Sequence, residues 1–246
     1  KPKKLSNKSW RYINLDKKIN NIPKKVDKIF FFSSPYYNLN NLKKKVFLKE
    51  LNWLKKIRKI TNTKTFIYLS SSSVYLNNHP VGTAKIKCEK YLIKNSNYEY
   101  LQIWRPYNLI GSENLNLSDH FHNIFIKKFC LQGKKNHHFY GSANDERGYS
   151  SAKKFCKLIT GKSNFKKSFI YNYGNSNTIK VKQIANIFKN IFEDRFKKRI
   201  KYSFNSTIKN INTIKSNKIV RSFNAKENSY NIIKNYYLLK IKSYEK

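Results

Sequence analysis

The chain has 246 residues, enough for one α/β domain with a small additional lobe, and its 39% hydrophobic and 15% aromatic content excludes global disorder. It carries 52 Lys and Arg against 13 Asp and Glu, a formal net charge of +39. No apolar run reaches the roughly 18 residues that a membrane helix needs, and no secretory signal opens the chain. These features predict a cytoplasmic protein that spans no membrane.

The basic charge has two interpretations that both stay open. Phosphate contacts by Lys and Arg supply most non-specific affinity for nucleic acid, so the charge permits a nucleic-acid-binding protein. Lys, Asn, Ile, Phe and Tyr crowd the sequence, whereas only 7 Gly and 5 Pro occur, as composition drift in an A/T-rich genome would produce. The lysines are scattered through every segment, which favours drift, but drift does not explain why acids are so few.

Cysteines and histidines predict neither a disulfide framework nor a metal site. Cys88, Cys130 and Cys156 lie far apart without C-x-x-C pairing, which is typical of reduced thiols. No Cys or carboxylate stands at metal-ligand spacing around the two histidine pairs, His120 with His122 and His137 with His138.

The first hundred residues predict strands that alternate with helices. Apolar runs at 28–34, 65–70 and 98–104 predict buried strands. Residues 42–60 predict a helix with an apolar stripe at helical spacing, and residues 81–94 predict a second helix. Short links between these elements predict an α/β fold with a Rossmann-like parallel sheet flanked by helices.

The pattern is looser after residue 106. Helices are predicted at 117–133, 150–159, 178–192 and 230–240, and a strand at 168–174. The last fifty or so residues are weakly patterned until the terminal helix. We predict a partial Rossmann-like core over 1–106 and a substrate-binding part over 107–246, which is interleaved with the core near 150–175.

Six motifs in chain order carry a family resemblance: IFFFSSP, FIYLSSSSVY, VGTAKIKCEKYL, LQIWRPYNLIG, DERGY and NYGNS. In this order the chain resembles the extended short-chain dehydrogenase/reductases, and more narrowly the nucleotide-sugar epimerases and dehydratases. The resemblance runs from about residue 10 to about residue 190 and more faintly to the end. It implies NAD(P)-linked hydride transfer on a nucleotide sugar, a role in surface polysaccharide synthesis, and a homodimer formed through helices 42–60 and 81–94.

The resemblance also implies catalytic and cofactor-binding residues. Ser71 would hydrogen-bond the sugar hydroxyl. Lys85 would lower the pKa of a tyrosine one turn earlier and hold the nicotinamide ribose of NAD or NADP. Further cofactor contacts would come from the ends of two strands, namely Ser33, Ser34, Pro106 and Tyr107.

Two further residues would bind the substrate by the same resemblance. Asn108 would contact the nucleotide part of the substrate. Arg147 would bind the pyrophosphate, a task suited to a planar guanidinium fork.

The chain departs from the family pattern at several places. Val81 occupies the position of the tyrosine that exchanges protons, and no glycine-rich dinucleotide fingerprint exists among the seven glycines. Residues 9–16 resemble the strand that meets adenine, with Asn14 where Asp is usual. By that register about 40 to 50 residues are expected upstream. The segment 75–81 is short, and 148–154 lacks the two aspartates that often close its motif.

Two other motifs resemble functional motifs, but their sequence context argues against a functional role. Tyr149 and Lys153 have the Y-x-x-x-K spacing, but they lack the preceding serine-bearing strand that Lys85 has. The sequence TGKS at 160–163 resembles the end of a phosphate-binding loop, but Cys156 stands where its first glycine must be.

Three hypotheses on function stay open. The first is an epimerase or dehydratase that transfers hydride to NAD(P) and back, with Ser71 and Lys85 in support. In that case Tyr75 or His79 is the candidate for the missing acid. The second is a non-catalytic relative that binds a nucleotide sugar or a partner protein. The third is a basic nucleic-acid-binding protein built on the same fold.

Overall fold

The computed structural model describes residue 15 and residues 23–32, 44–76, 79–95, 97–111, 121–162, 166–206, 211–212 and 221–244. Its elements in chain order are β1 (Lys25–Phe31), α1 (Lys44–Ile60), β2 (Asn62–Leu69), a 3-10 turn (Ser72–Tyr75), α2 (Pro80–Lys94), β3 (Tyr100–Pro106), β4 (Leu109–Ile110), α3 (Phe121–Phe125) continued by a π-helical segment (Ile126–Leu131), β5 (Asn136–Ser142), β6 (Glu146–Gly148), β7 (Ser150–Ser151), α4 (Ala152–Lys162), β8 (Phe169–Gly174), β9 (Thr178–Lys180), α5 (Val181–Phe196), β10 (Lys201–Ser206), β11 (Ile211–Asn212), β12 (Arg221–Asn224) and α6 (Ser229–Lys242).

The central layer is a five-stranded sheet with the strand order β1-β2-β3-β8-β12. Every pairing in it is parallel, so the carboxyl ends of all five strands meet at one edge. Its strands are buried where the sequence predicts them to be, since Phe66, Ile67, Tyr68, Ile103 and Trp104 are at most 1% exposed. The predicted Rossmann-like α/β class is confirmed.

Helices cover both faces of this sheet because successive strand residues point to opposite sides. On one face, α1 and α2 pack Leu54 and Cys88 against Phe66 and Tyr68. On the other face, α4 packs Phe155 and Ile159 against side chains that include Ile67 and Trp104. The parallel sheet is thus buried on both sides, as parallel sheets generally are.

A second lobe forms beside the sheet around an aromatic cluster. Phe125, Phe129 and Phe188 pack there with Phe139 and Tyr237. Small sheets complete the lobe, in the orders β10-β5, β11-β6-β9 and β4-β7. The division into parts 1–106 and 107–246 stays a prediction. The main sheet takes two of its strands, β8 and β12, from the later part of the chain.

Several elements differ from the sequence prediction at their ends or in kind. Thr178–Lys180 was predicted as helix but forms β9, which pairs antiparallel with Glu146–Gly148. α5 begins at Val181, where the Lys180 amide donates to Gln183 Oε1 at 2.9 Å. The strand pairing of Thr178–Lys180 therefore outweighs the helical spacing of apolar residues in that segment. The strands β10 and β12 lie in the stretch that the sequence leaves weakly patterned.

Membrane-spanning helices and metal-ligand clusters are both missing from the described residues. No helix there is long and apolar enough to cross a membrane. The same residues contain no group of three or more His, Cys, Asp or Glu side chains arranged to hold a metal ion.

Candidate functional site

The carboxyl end of β2 turns directly toward the start of α2. Ser71 caps the 3-10 turn, because its Oγ accepts hydrogen bonds from the Ser73 amide at 3.1 Å and from Ser73 Oγ at 3.0 Å. A Cβ atom at Gly82 would lie 2.1 Å from the Ser73 carbonyl oxygen. Only glycine therefore permits this approach of α2 to the turn. The approach holds Ser71 and Tyr75 beside the first turn of α2.

Lys85 lies in the interior and not at the surface of the site. Its Nζ donates to Glu50 Oε1 at 2.6 Å and to the Leu69 carbonyl oxygen at 3.0 Å. The same Glu50 oxygen accepts a hydrogen bond from the Tyr68 hydroxyl at 2.8 Å. Burial is the largest cause that raises the pKa of Tyr68 well above its usual value, and the negative charge of Glu50 is the second. The phenol therefore stays protonated. The positive charge of Lys85 is thus balanced by Glu50 in the interior between α1, α2 and β2.

A second buried ion pair lies under the carboxyl ends of β2 and β3. Glu89 accepts hydrogen bonds from Arg105 Nε at 3.0 Å and Nη2 at 2.5 Å, and from the Ser70 hydroxyl. Arg105 Nη1 donates to the Tyr75 hydroxyl at 2.9 Å, and that hydroxyl donates to Asn172 Oδ1 at 2.9 Å. Burial opposes the charge of Arg105, but its hydrogen bonds and the charge of Glu89 raise its pKa on balance. The network ties together the ends of β2, β3 and β8.

Tyr107 and Asn108 extend this arrangement toward the second lobe. The ring of Tyr107 stacks on Tyr75 with 6.3 Å between ring centroids. Asn108 has a positive φ of 34°, and its Nδ2 donates to the Gly148 carbonyl oxygen at 3.1 Å. Its own carbonyl oxygen accepts from the Ser150 amide at 3.2 Å. Asn108 therefore fastens the end of β3 to the strand that carries Arg147.

Arg147 is a half-buried cation on β6. Its guanidinium carbon lies 5.4 Å from the ring centroid of Phe121. Its Nε is buried and has no hydrogen-bond partner among the described residues. A guanidinium held over an aromatic ring presents a planar fork of donors that matches phosphate oxygens.

The predicted site residues are partly brought together. A chain of contacts runs from the turn capped by Ser71, through the stacked Tyr75 and Tyr107, to Asn108 and the neighbourhood of Arg147. Pro106 is the last residue of β3 and pairs with Tyr173. Lys85 turns away toward Glu50, although Val81 and Lys85 both lie on α2, one turn apart. Ser33 and Ser34 lie outside the described residues.

The two decoy motifs have structural roles in the part of the chain that is described. Tyr149 is 1% exposed in the aromatic cluster of the second lobe, and it precedes the helix that carries the exposed Lys153. Thr160 to Lys162 form the last turn of α4, where Thr160 Oγ1 donates to the Cys156 carbonyl oxygen at 2.9 Å. His120 and Ser163 lie outside the described residues.

The sequence did not predict four residues whose side chains bond to or lie beneath the candidate site: Glu50, Glu89, Arg105 and Asn172. One signal was available for Glu50. It shares the face of α1 that carries Leu54, so an acid sits where the apolar stripe predicts burial. In a chain with only 13 acids, an acid on an apolar face points to a buried partner.

Comparison with known proteins places this fold in one class. No family model and no curated protein sequence matches the chain. Among solved structures, RMD from Pseudomonas aeruginosa complexed with NADPH is 13% identical with a TM-score of 0.63, over 94% of this chain and 89% of that one. ADP-L-glycero-D-manno-heptose-6-epimerase from Helicobacter pylori is 16% identical with a TM-score of 0.62, over 86% and 71%.

A third neighbour is UDP-glucose 4-epimerase from Thermotoga maritima with UDP-glucose. It is 16% identical with a TM-score of 0.60, over 90% of this chain and 78% of that one. The chain therefore shares the Rossmann-like fold of these solved structures. Several of them are nucleotide-sugar epimerases and dehydratases, the group that its motifs resemble.

Proposed function

We propose that this chain is a relative of the nucleotide-sugar epimerases and dehydratases that binds a nucleotide sugar and is impaired in hydride transfer. The binding site would lie along the carboxyl edge of the sheet, from the turn at Ser71 through Asn108 to Arg147. Its biosynthetic setting would be surface polysaccharide synthesis, as the resemblance implies. The expected cytoplasmic location belongs to the same proposal.

Arg147 is the observation that carries the binding part of the proposal. Its side chain is half-buried with the guanidinium over the Phe121 ring at 5.4 Å, an arrangement that holds a planar cation in place for an anionic ligand. Asn108 holds the adjacent strand at Gly148 through a 3.1 Å hydrogen bond. A pyrophosphate seated on this guanidinium would place the nucleotide next to Asn108.

The described residues do not fit the cofactor half of the family site. Neighbouring structures hold NADPH or NAD, which is the basis for expecting NAD or NADP. Here the Lys85 ammonium is occupied by Glu50 and the Leu69 carbonyl, and Val81 has no proton to exchange. We therefore derive no hydride-transfer step for this chain.

The candidates for a relocated acid are both engaged elsewhere. The Tyr75 hydroxyl is hydrogen-bonded to Arg105 and Asn172. His79 caps α2, with Nδ1 accepting from the Gly82 amide at 3.4 Å. These contacts support a binding role over full catalysis.

Titration with UDP-glucose and dTDP-glucose tests the binding proposal. Calorimetry at 150 mM salt should give saturable binding, and Arg147→Met should weaken it about tenfold or more, because a charged hydrogen bond is lost. Lys182→Met is the matched control, since it removes one exposed positive charge from α5 and should change affinity less than about twofold. Equal weakening by both variants, or no saturable binding, would contradict the proposal.

Nucleic-acid binding is a second candidate function, favoured by where the acids lie. Glu50, Glu89 and Glu227 are buried, the first two in ion pairs with Lys85 and Arg105, so few acids remain on the surface beside the many exposed lysines. A binding constant for a single-stranded oligonucleotide that falls steeply and linearly with salt on logarithmic axes would support this role. Absence of oligonucleotide binding at 150 mM salt would contradict this second role, and nucleotide-sugar binding would remain the proposed function.

A further inference from the structure

The small sheet of β10 and β5 has one face in the second lobe and the other in solvent. Phe139 and Phe204 pack into the aromatic cluster of the lobe. Because side chains alternate along a strand, the residues between them point the other way. These exposed residues, here called the outer face, are Asn136, His138 and Tyr140 on β5 and Lys201, Ser203 and Asn205 on β10. Neither the family resemblance nor the proposed nucleotide-sugar site uses the outer face.

Parallel pairing brings two basic segments to one end of this sheet. Because β10 and β5 run in the same direction, the segments that lead into them meet at the same end. Lys134 and Lys135 precede β5, whereas Lys198 and Arg199 precede β10, and all four are exposed. The Lys201 amide donates to the Lys135 carbonyl oxygen at 2.9 Å. Cations from two distant parts of the chain are thus concentrated at one end of the outer face.

Few carboxylates oppose these cations. Neither 133–142 nor 197–206 contains an Asp or Glu. At the end of α5, Glu193 accepts a hydrogen bond from a backbone amide at 2.8 Å, and Asp194 lies 3.3 Å from a neighbouring lysine. Asp145 follows the other end of β5 and is buried. The outer face, with the segments that lead into it, is therefore net positive.

Tyr140 is the aromatic residue at the centre of the argument, because it is 88% exposed on a strand. His138 lies beside it, with 6.1 Å between the ring centroids. The His138 imidazole is held across the strands, with Nδ1 2.6 Å from Ser203 Oγ. A ring so exposed contributes little to packing, but it offers a flat surface on which another ring can stack. Aromatic rings beside a line of cations are what single-stranded nucleic acids bind.

We propose that the outer face binds a single-stranded nucleic acid. An unpaired base stacks on Tyr140, and phosphates contact Lys135 and Lys201. An open depression of about 510 Å³, lined in part by Lys134 and Lys201, gives the phosphodiester backbone room beside the strands. In a duplex the bases stack on each other, so an exposed protein ring selects unpaired bases. This inference rests on the second candidate function and names the surface that performs it.

Fluorescence anisotropy with a labelled oligodeoxythymidine of about twelve nucleotides tests the stacking part. At 150 mM salt, Tyr140→Ala should weaken binding about fivefold or more, because one base loses its stacking partner. Tyr140→Phe keeps the ring and should bind within about twofold of the parent. Tyr230→Ala is the matched control, since it removes a tyrosine that is 46% exposed on α6 and should change affinity less than about twofold.

Salt dependence tests the charged end of the outer face. Lys135→Gln combined with Lys201→Gln should make the plot of log binding constant against log salt shallower by about 1.4, since each phosphate contact to a single strand contributes about 0.7. Lys87→Gln combined with Lys90→Gln is the matched control. It removes two exposed charges from α2 and should leave the slope unchanged.

The possible failures are distinguishable. Oligonucleotide binding that Tyr140→Ala leaves unchanged, or that Tyr230→Ala weakens equally, would overturn this surface but not the second candidate function. Absence of oligonucleotide binding would overturn both. An abasic chain of the same length that binds as tightly as oligodeoxythymidine would show recognition of charge without bases. UDP-glucose at saturation should not displace the oligonucleotide, and displacement would move the binding to the Arg147 site and overturn the proposal.

Discussion

Lys85 and Glu50 form an ion pair in the core of the protein, with Nζ of the lysine 2.6 Å from Oε1 of the glutamate. The glutamate side chain is 0% exposed and the lysine side chain 6%. The pair joins α1 to α2 beneath the end of β2, where the family resemblance expects Lys85 to face a cofactor. A charge buried at this depth is stable only while its partner remains.

Removing the carboxylate alone should therefore destabilise the fold. Glu50→Gln leaves the Lys85 ammonium buried without a counter-charge, and we expect a loss of about 3–5 kcal/mol in the free energy of unfolding. Urea denaturation measures this loss. The double change Glu50→Leu with Lys85→Met should recover only part of it, because an apolar pair replaces the ion pair but the buried Tyr68 hydroxyl loses its acceptor.

The matched control for this prediction is an exposed ion pair. Asp194 lies 3.3 Å from Lys197, and both side chains are at least 80% exposed. Asp194→Asn should change stability by at most about 0.5 kcal/mol. If Glu50→Gln is as mild as Asp194→Asn, the buried pair does not stabilise α1 against α2.

Gly82 should not tolerate a side chain. In Gly82→Ala the new Cβ would lie 2.1 Å from the Ser73 carbonyl oxygen, so the 3-10 turn must move away from α2. We expect about 1–3 kcal/mol of destabilisation, measured by urea denaturation. Gly161→Ala is the control, because nothing lies within 4 Å of a Cβ there. In helix α4 that change should stabilise the protein by up to about 1 kcal/mol, and opposite signs for the two variants would support the close contact.

Val81→Tyr tests whether the missing proton donor limits turnover. A phenol at position 81 would lie one helical turn from Lys85, and one general acid–base group is typically worth about a hundredfold or more in rate. Because Lys85 is held by Glu50 and the described residues do not fit the cofactor, we expect turnover of UDP-glucose with added NAD to rise by much less than that factor over the parent. Val81→Phe adds the ring without the hydroxyl and should leave turnover unchanged. Parent activity at ordinary enzyme rates that Tyr75→Phe abolishes would instead show that the acid has moved.

The three cysteines should differ widely in reactivity toward alkylating reagents. Burial is the main cause that raises the pKa of Cys88 and of Cys130 to about 12, so almost no thiolate exists at pH 8. Cys156 is exposed. Peptide mapping after brief iodoacetamide treatment at pH 8 should find label on Cys156 alone. Label on Cys88 in the folded protein would contradict the burial of the α1–α2 interface.

The homodimer through α1 and α2 that the family resemblance implies should, if it is this interface, depend on salt. The exposed residues of these helices include Lys55, Lys56 and Lys59 on α1 and Lys87 and Lys90 on α2. A second copy placed on this face would oppose like charges, which repel most strongly at low ionic strength. Light scattering should find a larger dimer fraction at 500 mM than at 50 mM salt. A dimer fraction that falls with salt would point to another interface.

The alternation of strands and helices was readable because apolar runs of β-branched and aromatic residues are local signals. Phe66 and Trp104 lie in such runs, and both are buried in the sheet as predicted. The pairing of Lys85 with Glu50 was not readable, because nothing local to either residue specifies a partner 35 positions away in the sequence. A lysine among 52 Lys and Arg also carries little information by itself.

The arrangement of the candidate site residues was readable only in part, for a similar reason. Arg147 and Asn108 stand in motifs whose order fixes their place in the fold, so their proximity through Gly148 could be anticipated. The positive φ of Asn108 and the Arg105–Glu89 pair depend on how the ends of three strands meet. That meeting is a tertiary arrangement, and residue spacing along one strand does not encode it.

β12 pairs with β8 in the main sheet, although β9, α5, β10 and β11 lie between them in the chain. The fifth strand therefore joins the sheet only after most of the second lobe has been synthesised. Until then β8 is an open edge with Phe169, Tyr171 and Tyr173 along it. An unpaired edge rich in aromatic residues is a template for another chain. During synthesis this protein should thus be most prone to aggregation before residue 221 emerges, and carboxyl-terminal truncations should be less soluble than the full chain.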